Sequence, residues 1–166
     1  MKKFMRTVAL TLLVVLSLQQ AVFADDTKAT GPKTSKPTEG VEAVDPNYGT
    51  SQEATKGLIS PMYTEFNSYY STIYNTGYSL YCEGDTTAGV IADQVKVTVY
   101  VQRWNGTDWV DLQSWTKTEY NDITAIMGGH YYGYQSGYYY RTRSVHTVIK
   151  TQTETRNSSS AYIYIN

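Results

Sequence analysis

The amino-acid sequence predicts an all-β domain, and three observations carry that prediction. No helical period is sustained after the first two dozen residues. Val, Ile, Thr and Tyr, which suit a pleated and half-buried surface, dominate the second half of the chain. Residues 94–103 alternate strictly, with Val95, Val97, Val99 and Val101 on one side and Lys96, Thr98, Tyr100 and Gln102 on the other. That is the signature of a strand buried on one face only.

The segments before the domain differ in character. Residues 1–24 read as a cleavable secretory signal. Lys2, Lys3 and Arg6 form a positive start, and an apolar run from Val8 to Leu18 is broken only by Thr11 and Ser17. Val22-Phe23-Ala24 then sets tolerated residues at the cleavage positions, so cleavage is expected after Ala24. The run is shorter than the roughly 20 residues a helix needs to span a bilayer, so no stable membrane insertion is expected after cleavage. Residues 25–57 hold Pro32, Pro37 and Pro46 among Gly, Thr, Lys and Glu, with no Leu, Ile, Phe or Trp. Such a stretch buries too little apolar surface to offset its ordering entropy, and a disordered polar leader is expected there.

The domain is expected to cover residues 58–166, where 16 of the 17 tyrosines lie. Only residues 60–74 leave room for a short helix, and a strand is expected near 68–75. Tyr78, Leu80 and Cys82 share one parity in a strand ending near Gly84-Asp85. After the 94–103 strand, Trp104-Asn105-Gly106-Thr107-Asp108-Trp109 is an Asn-Gly hairpin turn. A four-residue loop there places Trp104 opposite Trp109; a two-residue loop places it opposite Thr107. Residues 110–118 form the return strand, and a weaker strand is expected near 123–127. The glycine- and tyrosine-rich stretch 128–137 suits turns covered by rings. A long strand follows over 137–150, and 161–165 closes the chain with Ile163 and Ile165 opposed to Tyr162 and Tyr164. About seven short antiparallel strands predict an immunoglobulin-like β-sandwich, with a small closed barrel as the alternative.

Charge narrows the partners. The signal holds three of the 14 basic residues and none of the 15 acidic ones, which leaves the mature chain at a formal net charge of −4. Without a basic cluster there is no footprint for phosphate backbones, so nucleic acid is not an expected partner. The single cysteine, Cys82, has no internal disulfide partner, and its parity argues for a buried, inert thiol. Neither His130 nor His146 belongs to a metal-binding spacing, and no nucleophile-elbow or phosphate-cradling motif is present, so no metal or cofactor is expected. Cys82 with His146, Glu83 with Asp85, and Asp108 with Asp111 are the pairs from which catalysis would have to come. At strand ends and turns such carboxylates are ordinarily solvated or cap local amides.

The positive signal is aromatic. If the Val95–Val101 side is the core, Tyr100 and Trp104 face outward. Trp109 and Trp115 share a parity on the return strand, flanked by Gln102, Gln113, Asp108 and Asp111. Rings beside amides and carboxylates suit sugar C–H faces and hydroxyls, and the same surface suits a protein partner. Tyr100, Trp104, Trp109 and Trp115 are therefore the candidate ligand-binding residues. Cross-strand packing of these rings is the plainer alternative.

The run S-L-Y-C-E-G-D-T-T-A, then V-K-V-T-V-Y-V-Q-R-W-N-G-T-D-W, then G-Y-Y-Y-R-T-R-S-V-H resembles a family of small exported proteins from Gram-positive bacteria that carry a domain of unknown function. The resemblance covers about residues 68–165. It implies an extracellular β-sandwich and brings no catalytic residues with it. The resulting expectation is a secreted, non-catalytic module that binds an extracellular glycan or protein. A secreted hydrolase using a carboxylate pair, and an antimicrobial or toxin-like effector, are the alternatives.

Overall fold

The computed structural model describes residues 31–54 and 65–166. The predicted signal, the first residues of the predicted leader, and residues 55–64 lie outside the described residues. The strands are β1 (Tyr48–Thr50), β2 (Phe66–Asn75), β3 (Leu80–Trp104), β4 (Trp109–Tyr131), β5 (Tyr138–Ile149), β6 (Thr153–Ser159) and β7 (Ile163–Ile165). One helical turn, α1 (Ser51–Ala54), follows β1. Among the described residues no helix is long and apolar enough to cross a membrane.

All seven strands join one antiparallel sheet, ordered β1-β2-β3-β5-β6, with β4 also on β3 and β7 also on β5. Two long strands make this possible. Residues 80–88 of β3 pair with β2, residues 94–103 pair with β5, and β4 accompanies β3 on its other side along both stretches. The ribbon then curls over the core. A Cβ on Gly84 would lie 2.6 Å from Ser144 Oγ and 2.9 Å from a methyl of both Val97 and Val99, so the two halves of β3 face each other where only a hydrogen fits. Closure comes from the segment before β7: Ala161 N–H donates to Thr50 O at 3.0 Å and Tyr162 N–H to Val41 O at 2.8 Å. Where the sequence predicted a sandwich of two sheets, the strands form one coiled, nearly barrel-shaped sheet.

Bulges dictate which residues enter the core. In residues 80–88 the even positions point inward, among them Leu80, Cys82 and Thr86. The register shift between Thr87 and Ala92 pushes Gly89, Val90 and Ile91 outward and reverses the parity. Val95, Val97, Val99 and Val101 are then fully buried, as their alternation predicts. Burying each of these side chains contributes about 1.5–3 kcal/mol. The strand expected to stop near Gly84-Asp85 instead continues through this bulge into the next one. Tyr78, expected to follow the core parity, stands exposed in the turn before β3. The 105–108 turn has its predicted form. Asn105 N–H donates to Asp108 O, the Asn105 side chain accepts from the amides of Thr107 and Asp108, and Gly106 supplies φ of +109°. Trp104 pairs with Trp109, which selects the four-residue loop. The 128–137 stretch divides, its first part belonging to β4 and the rest to the turn into β5.

The leader expectation does not hold for residues 31–54. Val41, Ala43 and Thr50 hydrogen-bond to the 161–162 segment, and β1 pairs with β2. Backbone hydrogen bonds and sheet edges order this stretch with little aliphatic burial beyond Ala43 and Pro37, a contribution that composition does not register.

Candidate functional site

The four aromatic residues singled out by sequence fall in three settings. Trp104 is 1% exposed and packs with Tyr139 and Tyr162, its indole Nε1–H without a hydrogen-bond partner among the described residues. Trp109 stacks at a tilt 5.4 Å from Trp104 and lies beneath the Arg141 guanidinium, 4.3 Å from the ring centre. Tyr100 is covered by Arg143 at 4.2 Å. Trp115 points the other way, packs against the core, and lies over Gly129.

The physical reason is a second bulge. Val101 pairs with Gln113 and Gln102 with Asp111, so Leu112 is an extra residue in β4. An extra residue flips the facing of everything beyond it. Trp109 therefore faces outward with Trp104, while Trp115, opposite Val99, faces inward. The shared parity expected for Trp109 and Trp115 does not survive.

The outward tryptophans are roofed over. Trp109 Nε1–H donates to Glu39 O at 3.2 Å. Ser35 Oγ donates to Gly106 O, and Glu42 bridges to Tyr162. Beside this roof Gln102 gives its amide to Asp111 at 2.6 Å and accepts Arg141 Nε at 2.7 Å. Arg143 pairs with the same Asp111 at 3.2 Å. Arg141, Arg143, Gln102 and Asp111 thus engage one another and the Trp109 and Tyr100 rings.

The candidate reactive groups are buried or engaged in hydrogen bonds. Cys82 is fully buried and burial pushes its thiol up to about 12. His146 is fully buried; its Nδ1 lies 2.7 Å from Thr86 Oγ1 and its Nε2 2.8 Å from Ser158 Oγ. Ser71 Oγ continues the chain to Ser158 Oγ and Ser144 Oγ. Burial pulls the imidazole down to about 4, so the ring is neutral at physiological pH and serves as a hydrogen-bonding strut. Asp108 belongs to the hairpin turn and Asp111 to the arginine network.

A different aromatic surface stays open. Successive register partners Tyr48, Tyr74, Tyr81 and His130 form one row across β1, β2, β3 and β4. The inward row beside it is Gly49, Ile73, Cys82 and Gly129. Tyr48 is 40% and Tyr74 48% exposed, and Tyr132, 72% exposed, stacks on His130. Tyr81 tilts 4.9 Å from the His130 ring and lies across Gly128, where any side chain would collide with it.

Two carboxylates sit among these rings. Glu83 accepts the Tyr81 hydroxyl at 2.9 Å. Asp85 accepts the Thr87 hydroxyl at 3.0 Å, and the Tyr70 hydroxyl bonds to it as well. Burial raises the Asp85 carboxyl above its ordinary value, and burial together with Asp85 and Glu83 raises the Tyr70 hydroxyl.

Sequence reasoning missed this row although part of the signal was present. Tyr70 and Tyr74 alternate with Ser71 and Ile73 along β2, which is outward parity for the rings. Tyr48 fell in the supposed leader, and cross-strand register, invisible in a single sequence, is what aligns the row.

Together the fold and this surface define a small antiparallel β domain, nearly a barrel, with one covered and one open aromatic face. No family model, curated protein or solved structure matches this chain.

Proposed function

We propose that the protein is an exported, non-catalytic binding module that holds an extracellular glycan on the open face of β1–β4. The observation that carries this reading is the row Tyr48–Tyr74–Tyr81–His130, exposed in part and set beside hydroxyl and carboxylate groups. Ring planes cover sugar C–H faces while phenol, threonine and carboxylate oxygens take the hydroxyls. Strands about 4.8 Å apart spread four partners over some 14 Å, room for more than one sugar ring.

Export rests on the composition of residues 1–24, and the resemblance to small exported proteins of Gram-positive bacteria points the same way. Glu83 and Asp85 share the outward side of β3, but Asp85 is buried and engaged by Tyr70 and Thr87. That supports binding over hydrolysis, since two-carboxylate hydrolysis needs both groups free to flank a scissile bond.

The test is co-sedimentation of the chain from residue 25 onward with insoluble cell-wall polysaccharide, alongside a Tyr48→Ala, Tyr74→Ala, Tyr81→Ala variant. The wild type is expected in the pellet and the folded variant in solution. A folded wild type that stays in solution with every polysaccharide tried overturns the glycan reading. Release of new reducing ends, abolished by Glu83→Gln, would replace binding with hydrolysis.

A further inference from the structure

We propose that the ligand of the open face is a cationic glycan: a polymer of amino sugars carrying free, unacetylated, protonated amines. The inference rests on the glycan-binding reading above and adds the charge of the ligand.

The two halves of the sheet differ in charge. Around the covered tryptophans the cations meet acids, Arg143 pairing with Asp111 and Lys36 with Glu42, while Arg141 lies over Trp109. The outward register positions of the open face read Tyr48, Thr50 on β1; Ser68, Tyr70, Thr72, Tyr74 on β2; Tyr81, Glu83, Asp85, Thr87 on β3; and Thr124, Ile126, Gly128, His130 on β4. Among the described residues no Lys or Arg occupies that face, and two carboxylates do.

The arrangement around Glu83 is specific. Along β3 its outward neighbours are Tyr81 and Asp85, and across the register lie Thr72 on β2 and Gly128 on β4. Tyr70 and Tyr74 flank Thr72 on the same side of β2. Three tyrosines thus border one carboxylate, and the Tyr81 ring lies over the glycine opposite it. The negative faces of aromatic rings attract ammonium groups, and a carboxylate within the same ring cluster adds direct pairing.

The two acids are not equivalent. Asp85 is 7% exposed and held by Thr87 and Tyr70, which makes it part of the frame. Glu83 takes only the Tyr81 hydroxyl among the described residues, on Oε2. Its other oxygen is the group available to an amine. A neutral, fully acetylated sugar polymer would gain the ring contacts and leave this charge unanswered.

The experiment uses depletion by insoluble chitin, by the same chitin after partial deacetylation, and by the deacetylated material acetylated again. Four proteins are compared: wild type, Glu83→Gln, Tyr74→Ala with Tyr81→Ala, and Asp93→Asn. Asp93 is an exposed carboxylate paired with Lys150 away from this face, so its variant matches the net charge of Glu83→Gln. Wild type is expected to bind the deacetylated form about ten-fold more tightly than either acetylated form, the size of one exposed amine–ring and amine–carboxylate contact. Glu83→Gln is expected to erase that preference and keep the residual binding, Asp93→Asn to preserve it, and the tyrosine variant to lose both.

Equal or tighter binding to the acetylated forms overturns the inference and leaves the glycan platform standing. Equal losses in Glu83→Gln and Asp93→Asn also overturn it, because general charge would then explain the preference. Absence of binding to all three materials by folded wild type takes the platform reading down with it.

Discussion

The molecule carries two aromatic faces on one sheet, and they are covered differently. Around the second half of β3, Trp104, Trp109, Tyr139, Tyr162 and Tyr164 are packed together, capped by Arg141 and roofed by residues 33–43. Around the first half, Tyr48, Tyr74, Tyr81, His130 and Tyr132 spread along an open row. Residue types are similar in both. The difference lies in what covers them: a strand-like segment from earlier in the chain on one side, solvent on the other. Aromatic content alone therefore says little about recognition. A ring already surrounded by neighbours contributes to stability, whereas an exposed ring has its contact area still to offer.

Truncating one ring on each side should separate the two faces by their effect on stability. Trp104→Ala is expected to cost about 3–5 kcal/mol, as for other large buried aromatics. Denaturant unfolding checks it, and a loss below 1 kcal/mol would mean that the covered face is not a packed cluster. Trp104→Phe is expected to cost less, because it removes the unpartnered indole N–H along with the second ring.

The next effect tests the frame between the two faces. His146 is held neutral, about 4 in the fold against an ordinary 6.5. A depressed imidazole means that the unfolded chain binds more protons between those values, so stability is complete above pH 6.5 and falls as pH drops toward 4. The loss amounts to as much as ~3 kcal/mol. Melting temperatures across that window should decline in the wild type and decline less in His146→Gln. Parallel profiles would show that some other group carries the acid sensitivity.

Gly84→Ala comes after that. Its new methyl would press on Ser144 and on two valines, and forcing the layers apart costs about 1–3 kcal/mol. A neutral result in calorimetry would mean that the curl of β3 is looser than these contacts imply. The smallest effect is on the open side: Tyr74→Ala should change stability by no more than about 0.5 kcal/mol, as expected for surface positions away from special features. A large loss there would make the open row a structural element instead.

Much of this architecture was legible in the residues, and the gaps have identifiable causes. Strict alternation located Val95 through Val101 as core, and Asn-Gly located the 105–108 turn, because both signals are local. The two bulges are not local signals. Nothing in the order of residues announces that Leu112 is unpaired, yet that one residue separates Trp109 from Trp115. The continuity of β3 was hidden for the same reason: a strand end was expected near Gly84-Asp85, whereas the strand runs on and Gly89 to Ile91 are a bulge within it. Residues 31–54 were hidden by composition: their order comes from backbone hydrogen bonds to residues 161–162 and from β1 pairing, which leave no hydrophobic trace. The candidate site was half legible. Aromatic residues beside polar groups could be located in the sequence, and register decided which of them remained uncovered.

On the proposed reading, the uncovered tyrosine row, and not the tryptophan cluster, is the recognition surface. The most direct measurement is a side-by-side co-sedimentation of Tyr48→Ala with Tyr74→Ala against Trp109→Ala, both in the chain from residue 25 onward and both verified as folded. Loss of polysaccharide binding in the tyrosine variant with retention in Trp109→Ala is the predicted result. Retention in the tyrosine variant with loss in Trp109→Ala would contradict the account and return recognition to the face beneath residues 33–43.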